Sequence, residues 1–369
     1  MKNYKEIECA EAAAKLLQQS KTIKNVAFQD IDFLSLEELA KECNFTECIF
    51  LGGKLPQSIS SRLDDSNLLF TMPQLPYKAF RNSLYSAREL YEGYITGSPQ
   101  SYENSFDKKV YNHYLSCGKT AKCIKESLAR VLHDHSINDA MHDFLQKFDE
   151  RKVVGIMGGH GLSRNEDAYI KVASIAKQLT EKGFLIVTGG GPGAMEASHL
   201  GAWMAGRTDQ QLAEAVQMLQ VAPSYKDELW LNSAFEVMEK YPCGEYVSLG
   251  VPTWLYGHEP ATPFATHIAK YFDNSIREAS IHTIAKGGII YSPGSAGTMQ
   301  EIFQDAVQNH YLSLGYSSPM IFFDSEYWTT QMPVYPFLEH LCKNGKYKNL
   351  LLSITDSPQE VVNSFPELC

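Results

Sequence analysis

From Val153 onward the chain alternates continuous apolar runs with amphipathic stretches, and this alternation constrains the fold more than any other feature. Val153-Val154-Gly155-Ile156-Met157 and Phe184-Leu185-Ile186-Val187-Thr188 are short and almost wholly apolar. Runs of that kind are strands buried on both faces. Between them, Ala168, Val172, Ile175, Ala176 and Leu179 share one helical face over Glu166 to Lys182, and Gly183 follows as a C′ glycine. Further buried strands are expected at Val247 to Trp254, Gly288 to Tyr291, Met320 to Phe323 and Leu350 to Ile354. The pattern predicts a Rossmann-like α/β fold, a parallel sheet with helices on both faces.

Two further segments precede that region. Residues 1–76 read as a small α/β unit, with strands at Asn25 to Phe28, Cys48 to Leu51 and Asn67 to Phe70. Ser35 to Cys43 is expected to be helical, with Ser35 as N-cap and Glu38 at capping-box spacing. Pro73 and Pro76 mark the end of this unit. Residues 77–150 read as mainly helical and are dense in tyrosine, a residue that serves cores or interfaces. Residues 151–369 then form the large domain.

Charge and thiols narrow the function classes. A net charge of −10 argues against general nucleic-acid binding. No apolar run reaches the roughly 18 residues of a membrane span. The charged start, Met1 to Glu6, does not read as a signal peptide. Eight scattered cysteines without a C-x-x-C argue against a disulfide framework or zinc ribbon, so reduced thiols and a cytoplasmic location are expected.

The segment that carries chemistry is Ser292-Pro293-Gly294-Ser295-Ala296-Gly297-Thr298-Met299-Gln300-Glu301. It follows the apolar run Gly288 to Tyr291 and opens a helix whose apolar face is Met299, Ile302, Phe303, Ala306 and Val307. A strand that turns through small residues into a helix presents backbone N–H groups at the positive end of the helix dipole, which suits phosphate. Glu301 stands in the first turn beside that cradle. Thr298 to Glu301 also has capping-box spacing, in which Glu301 would only bond the N-cap amide. Upstream, Gly189-Gly190-Gly191-Pro192-Gly193-Ala194-Met195 follows the second strand, and Gly158-Gly159-His160-Gly161 follows the first. Such turns lie where open parallel sheets bind ligands.

Together these strings resemble the Lonely Guy (LOG) family, whose signature is PGGxGTxxE. Pro293, Gly294, Gly297, Thr298 and Glu301 match it, and Ser295 stands where the pattern has its second glycine. The resemblance covers roughly Val153 to Leu314. More loosely, Gly118-Lys119-Thr120 and His133-Asp134-His135 look similar to the longer bacterial nucleotide 5′-monophosphate nucleosidases of that family. The resemblance implies a phosphoribohydrolase that splits nucleoside 5′-monophosphates into free base and ribose 5-phosphate. It implies no metal and no organic cofactor, and a homo-oligomer. Glu301 and Arg277 would be catalytic, with Arg277 in a helix expected from about Ala265 to Lys286. Gly294, Ser295, Ala296, Gly297 and Thr298 would hold the 5′-phosphate. Gly190, Gly191 and Gly193 would pack against the ribose or base, and Gly158, Gly159 and Met195 would be further substrate- or phosphate-binding residues.

Other readings stay open at this point. The triple-glycine turn also fits G-x-G-x-x-[G/A], but a dinucleotide site needs an acid ending the next strand, and Asp209 to Gln220 reads as helix. Arg277 could instead form a surface pair with Asp273, and Asn274 could line the same wall. His160 could touch ligand or solvent. Glu196 could be a second carboxylate or a favourable acid at a helix start. His135, Asp139 and His142 share a helical face that could hold a metal, with His133 nearby. A pyridoxal-dependent decarboxylase would need a Schiff-base lysine that the glycine motifs do not supply. A nucleotide-binding module without catalysis is the main alternative.

Overall fold

The computed structural model describes residues 4–71 and 75–365; Pro73 lies outside the described residues. The chain divides into two compact units, Met1–Leu84 with Asn112–Phe144, and Tyr85–Tyr111 with Leu145–Cys369. Residues 77–150 therefore contribute to both.

The first unit holds strands β1 (Lys5–Ile7), β2 (Thr22–Lys24), β3 (Val26–Gln29), β4 (Asn44–Thr46), β5 (Ile49–Leu51) and β6 (Leu68–Phe70). Strands β1, β3, β5 and β6 form one parallel sheet, and β2 pairs with β4. Phe28, Phe33, Phe45 and Phe50 interlock in its core. The helix expected over Ser35 to Cys43 is only Glu37–Ala40. Ser35 does not cap it, because its hydroxyl donates to the Asp32 carbonyl. Tyr77 and Tyr114 are buried here, and Tyr85 and Tyr91 in the second unit, so these four tyrosines are core residues.

The second unit is the α/β domain. Its strands are β7 (Val153–Met157), β8 (Leu185–Thr188), β9 (Ser248–Gly250), β10 (His267–Ile268), β11 (Gly288–Tyr291), β12 (Pro319–Phe323) and β13 (Leu351–Thr355). They form one parallel sheet in the order β10-β9-β8-β7-β11-β12-β13. Strands β7, β8, β9 and β11 are buried at every position, the condition that made them legible as apolar runs. Val172, Ile175 and Leu179 of helix Asp167–Glu181 join Ala197 and Leu200 of helix Ala194–Trp203, together with Ile156, Ile186 and Ile290, in the main core.

Two expected elements are shorter than their apolar patterns. The strand expected over Val247 to Trp254 ends at Gly250. The Val251 amide still reaches the Thr188 carbonyl, but Pro252 has no N–H to continue a ladder. The helix expected from Ala265 starts at Asn274, where the Asp273 carboxylate accepts from the Ser275 amide. The residues before it pair at the sheet edge instead, His267 opposite Leu249 and Ile268 opposite Tyr85. Tertiary pairing overrides helical spacing there.

The strand order places the ligand site. From β7 the chain builds outward through β8, β9 and β10, then returns to build β11, β12 and β13 on the other side. Neighbours β7 and β11 thus flank a topological switch point, where the following loops diverge and leave a crevice at the carboxyl ends of the strands.

Candidate active site

Three glycine-rich loops meet over that crevice. The Gly159 amide donates to the Pro293 carbonyl at 2.9 Å, and the Ala194 amide donates to the Gly159 carbonyl at 3.1 Å. Contacts this close require absent side chains. Gly193 has φ +70, and a Cβ there would lie 2.4 Å from the Gly159 oxygen. A Cβ on Gly294 would meet Thr298 Oγ1 at 2.1 Å. Gly193→Ala is therefore expected to lower unfolding stability by about 2–3 kcal/mol, read from denaturant midpoints at constant slope. An unchanged midpoint would show that the loops part freely.

The loop after β11 feeds helix Ala296–His310, with Ser295 at the N-cap and no side chain capping it. Its first amide N–H groups are thereby left for other acceptors. The helix starts three residues before a Thr298 N-cap would allow. Glu301 accordingly lies in the second turn, not the first, and the capping-box reading falls. The early start follows from an anchored turn: Gly159 holds Pro293, and the Tyr327 hydroxyl donates to the Gly294 carbonyl at 2.6 Å. Ser295 has φ −109, outside the left-handed region that favours glycine.

A cavity of about 370 Å³ opens at this helix start. Of the residues singled out in the sequence, Gly158, Gly159, Met195, Arg277 and Glu301 line it. Ser295, Ala296, Gly297 and Thr298 line it too. Gly190, Gly191, Gly193 and Gly294 do not; they lie behind the wall and hold the loops. His160 reaches the cavity. Tyr256, Glu259, Glu278, His282, Gln300 and Gln304 also line it and were not anticipated. Gln304 stands three residues after Glu301 on its own helix, so helical spacing could have found it; Gln300 and Glu278 are only chain neighbours of Glu301 and Arg277. Tyr256, at the end of the short 3-10 helix Trp254–Tyr256, and Glu259 beyond it follow β9 and carry no sequence signal.

The electrostatics centre on Glu301. It is half-buried, and its pKa is raised from 4.5 to about 7. Burial is the main cause; Arg277 pulls the value down and Glu278 pushes it up. Arg277 Nε donates to the Val251 carbonyl at 2.8 Å and Nη2 to the Gly189 carbonyl at 3.4 Å. These bonds turn the guanidinium toward the ends of β8 and β9. Glu278 accepts from Asn274 Nδ2 at 2.5 Å and Gln300 Nε2 at 2.6 Å. Asn274 thus positions Glu278 and is not part of the cavity wall. His282 ties the two helices together, with Nδ1 2.9 Å from the Glu278 carbonyl and Nε2 3.1 Å from the Glu301 carbonyl.

No family model matches the chain, and no curated protein matches it. Among solved structures it is similar to the molybdenum cofactor binding protein from the phototrophic bacterium Rippkaea orientalis. The identity is 14%, the TM-score is 0.34, and the match covers 57% of this chain and 95% of that one. A likeness of that degree assigns neither ligand nor activity.

Neighbouring groups take structural parts. Glu196 is fully buried and is not a second carboxylate of the cavity. It accepts from Arg164 Nε at 3.0 Å, from Arg164 Nη2 at 2.5 Å and from the Tyr169 hydroxyl at 2.9 Å. His199 bridges Ser248 and Thr188, each at 2.8 Å, and Thr188 Oγ1 accepts from the Gly190 amide. Burial lowers the His199 pKa to about 3, which keeps the ring neutral in that bridge. The dinucleotide reading loses its acid: the strand after β8 is β9, which ends at Gly250 and is followed by Val251. The histidine face does not converge either. His133 contacts Asp134, Asp139 accepts from Gln29 at 3.2 Å, and His135 and His142 are exposed. Among the described residues, no helix is long and apolar enough to cross a membrane.

Proposed function

We propose that this chain hydrolyses the N-glycosidic bond of nucleoside 5′-monophosphates, releasing free base and ribose 5-phosphate. One observation carries the reading: an uncapped helix N-terminus and a carboxylate with a pKa of about 7 open into the same cavity. The cavity volume falls within the roughly 300–1,000 Å³ of small-molecule sites. The 5′-phosphate sits on the amides of Ala296 to Thr298, and the nearby Arg277 cation offsets the charge of Glu301. Ribose lies along Gly158, Gly159 and Met195. As the bond to the base loosens, positive charge grows at C1′, and the Glu301 carboxylate stabilises it. Water bonds to C1′, its proton passes to Glu301, and the base departs with the electron pair of the broken bond and takes a proton from solvent, while Glu301 returns its proton to solvent. A group that titrates near 7 suits such proton transfer at neutral pH. The chain works as a homo-oligomer in this reading, and a monomeric mass by light scattering would remove that part.

The direct test offers the purified protein a panel of purine and pyrimidine 5′-monophosphates with their nucleosides, and scores free base by chromatography. Release from the monophosphates alone is expected. Saturable binding without release would leave the cavity as a nucleotide-binding module.

Activity and stability respond to pH in opposite directions. The ionised carboxylate is the competent form, so kcat rises with pH through about 7. The folded state holds this proton more tightly than the unfolded chain, whose carboxyl titrates near 4.5. The associated stability is present in full below that value and is lost as pH rises through about 7. Comparing the pH dependence of Tm between the wild type and Glu301→Gln isolates this contribution. Identical profiles would place the raised pKa elsewhere, Asp305 being the other carboxyl near 7 in that helix.

A further inference from the structure

The first unit holds a second cluster, and it owes nothing to the cavity chemistry. His113 and Cys117 stand one turn apart at the end of helix Phe106–Cys117, and Glu126 lies in the first turn of helix Ile124–Leu145. Their ligand-type atoms all fall within 4.8 Å of one another. His113 Nε2 is 3.0 Å from Glu126 Oε2 and 3.5 Å from Cys117 Sγ. A single ring nitrogen carries one hydrogen or one lone pair, so it cannot serve both neighbours. One cation between them would satisfy all three.

We propose that His113, Cys117 and Glu126 form a zinc site, with water in the fourth position. Zinc takes four tetrahedral ligands at about 2.0–2.3 Å, which puts neighbouring ligand atoms roughly 3.3–3.7 Å apart. The observed 3.0 and 3.5 Å need adjustments of only tenths of an ångström, and the remaining pair, Cys117 and Glu126, lies within 4.8 Å. One thiolate, one imidazole and one carboxylate suit zinc rather than magnesium or calcium, which prefer oxygen alone. The two anionic ligands balance the ion's charge.

The surroundings hold the carboxylate in place. Glu126 Oε1 accepts from Arg130 Nε at 2.8 Å and from the Tyr77 hydroxyl at 3.2 Å, which leaves Oε2 turned to the histidine. Arg130 also donates to the carbonyls of Gly118 at 3.0 Å and Lys119 at 3.1 Å. One guanidinium therefore orients the carboxylate and closes the loop beside the cysteine. Outer partners of this kind fix the direction of metal ligands. His113 and Cys117 are both partly exposed, so an ion can enter.

The test uses the untagged full chain, stripped with a chelator and then titrated with zinc against a chromophoric competitor. One zinc per chain is expected. Cobalt in its place should show thiolate-to-metal charge-transfer absorption in the near ultraviolet. Cys117→Ser and His113→Gln should each weaken zinc by more than about 100-fold, and Cys117→Ser should erase the cobalt band. Cys243→Ser, at an exposed cysteine outside the cluster, should change neither. Absence of stoichiometric zinc binding overturns the proposal, as does a cobalt band that survives Cys117→Ser. The wild-type cobalt spectrum needs no variant, so its lack of a thiolate band would be decisive even if a substitution disturbed folding.

Discussion

Glu301→Gln should lower base release by about 1,000-fold in kcat and leave nucleotide affinity within about twofold. The substitution keeps the side chain's size and its place in helix Ala296–His310, and removes only the charge and the proton acceptor. The phosphate cradle is backbone and remains intact. The loss therefore appears in kcat and not in KM, as expected of an interaction made chiefly in the transition state. Binding is measured by calorimetry with a nucleoside 5′-monophosphate, and turnover by chromatography of the free base. Unchanged turnover would remove Glu301 from the reaction. Loss of binding as well would mean that the carboxylate, not the helix start, holds the ligand. Because Glu278 raises the Glu301 pKa, Glu278→Gln should move the midpoint of the kcat profile to lower pH.

The largest stability effect is expected at Arg164 and Glu196, whose side chains are both about 1% exposed. Removing one partner leaves a buried charge without its counter-charge, which costs about 3–5 kcal/mol. Against a typical total of roughly 5–15 kcal/mol, Arg164→Ala or Glu196→Ala brings the domain close to unfolding. The effect exceeds that of an ordinary ion pair because Arg164 also donates to the carbonyls of Leu219, Ala222 and Trp230 and to the Ser233 hydroxyl. One guanidinium thus fastens the loop after β7 to three later segments. A Glu196→Leu/Arg164→Met pair should recover part of the loss, since no lone charge remains, but not all of it, since those carbonyls stay unpaired. Urea midpoints of the three variants decide this. A single variant within about 1 kcal/mol of wild type would mean that water replaces the lost partner.

The cluster of His113, Cys117 and Glu126 was not legible from spacing along the chain. His135, Asp139 and His142 share a helical face and lie close in sequence, yet two are exposed and the third binds Gln29. The tighter cluster spans two helices joined through Gly118 and draws its carboxylate from the second. Only the turn between the helices brings these groups together.

The same distinction runs through the α/β domain. Strands β7, β8 and β11 and the helix after β7 were legible because burial on both faces makes a strand apolar throughout, and burial on one face gives a helix its period of 3.6. The glycine-rich turns at the carboxyl ends of β7, β8 and β11 were legible because backbone contact leaves no room for side chains, as at Gly193 beside Gly159. The cavity wall formed by Gly158, Gly159 and the turn from Ser295 to Thr298 follows from those two facts, whereas neither of them points to Arg277. What local sequence could not decide was everything set by distant partners. The early end of β9, the replacement of the first turns of an expected helix by β10, and the start of helix Ala296–His310 at Ala296 all depend on pairing across the sheet or between loops. So does the role of each carboxylate. Glu196 and Glu301 both stand near helix starts after glycine turns, and spacing alone treats them alike. Arg164 arrives from the loop after β7 to neutralise Glu196, while Glu301 faces a cavity with Glu278 beside it. The charge a carboxylate keeps is decided by its neighbours in space, which chain order does not contain.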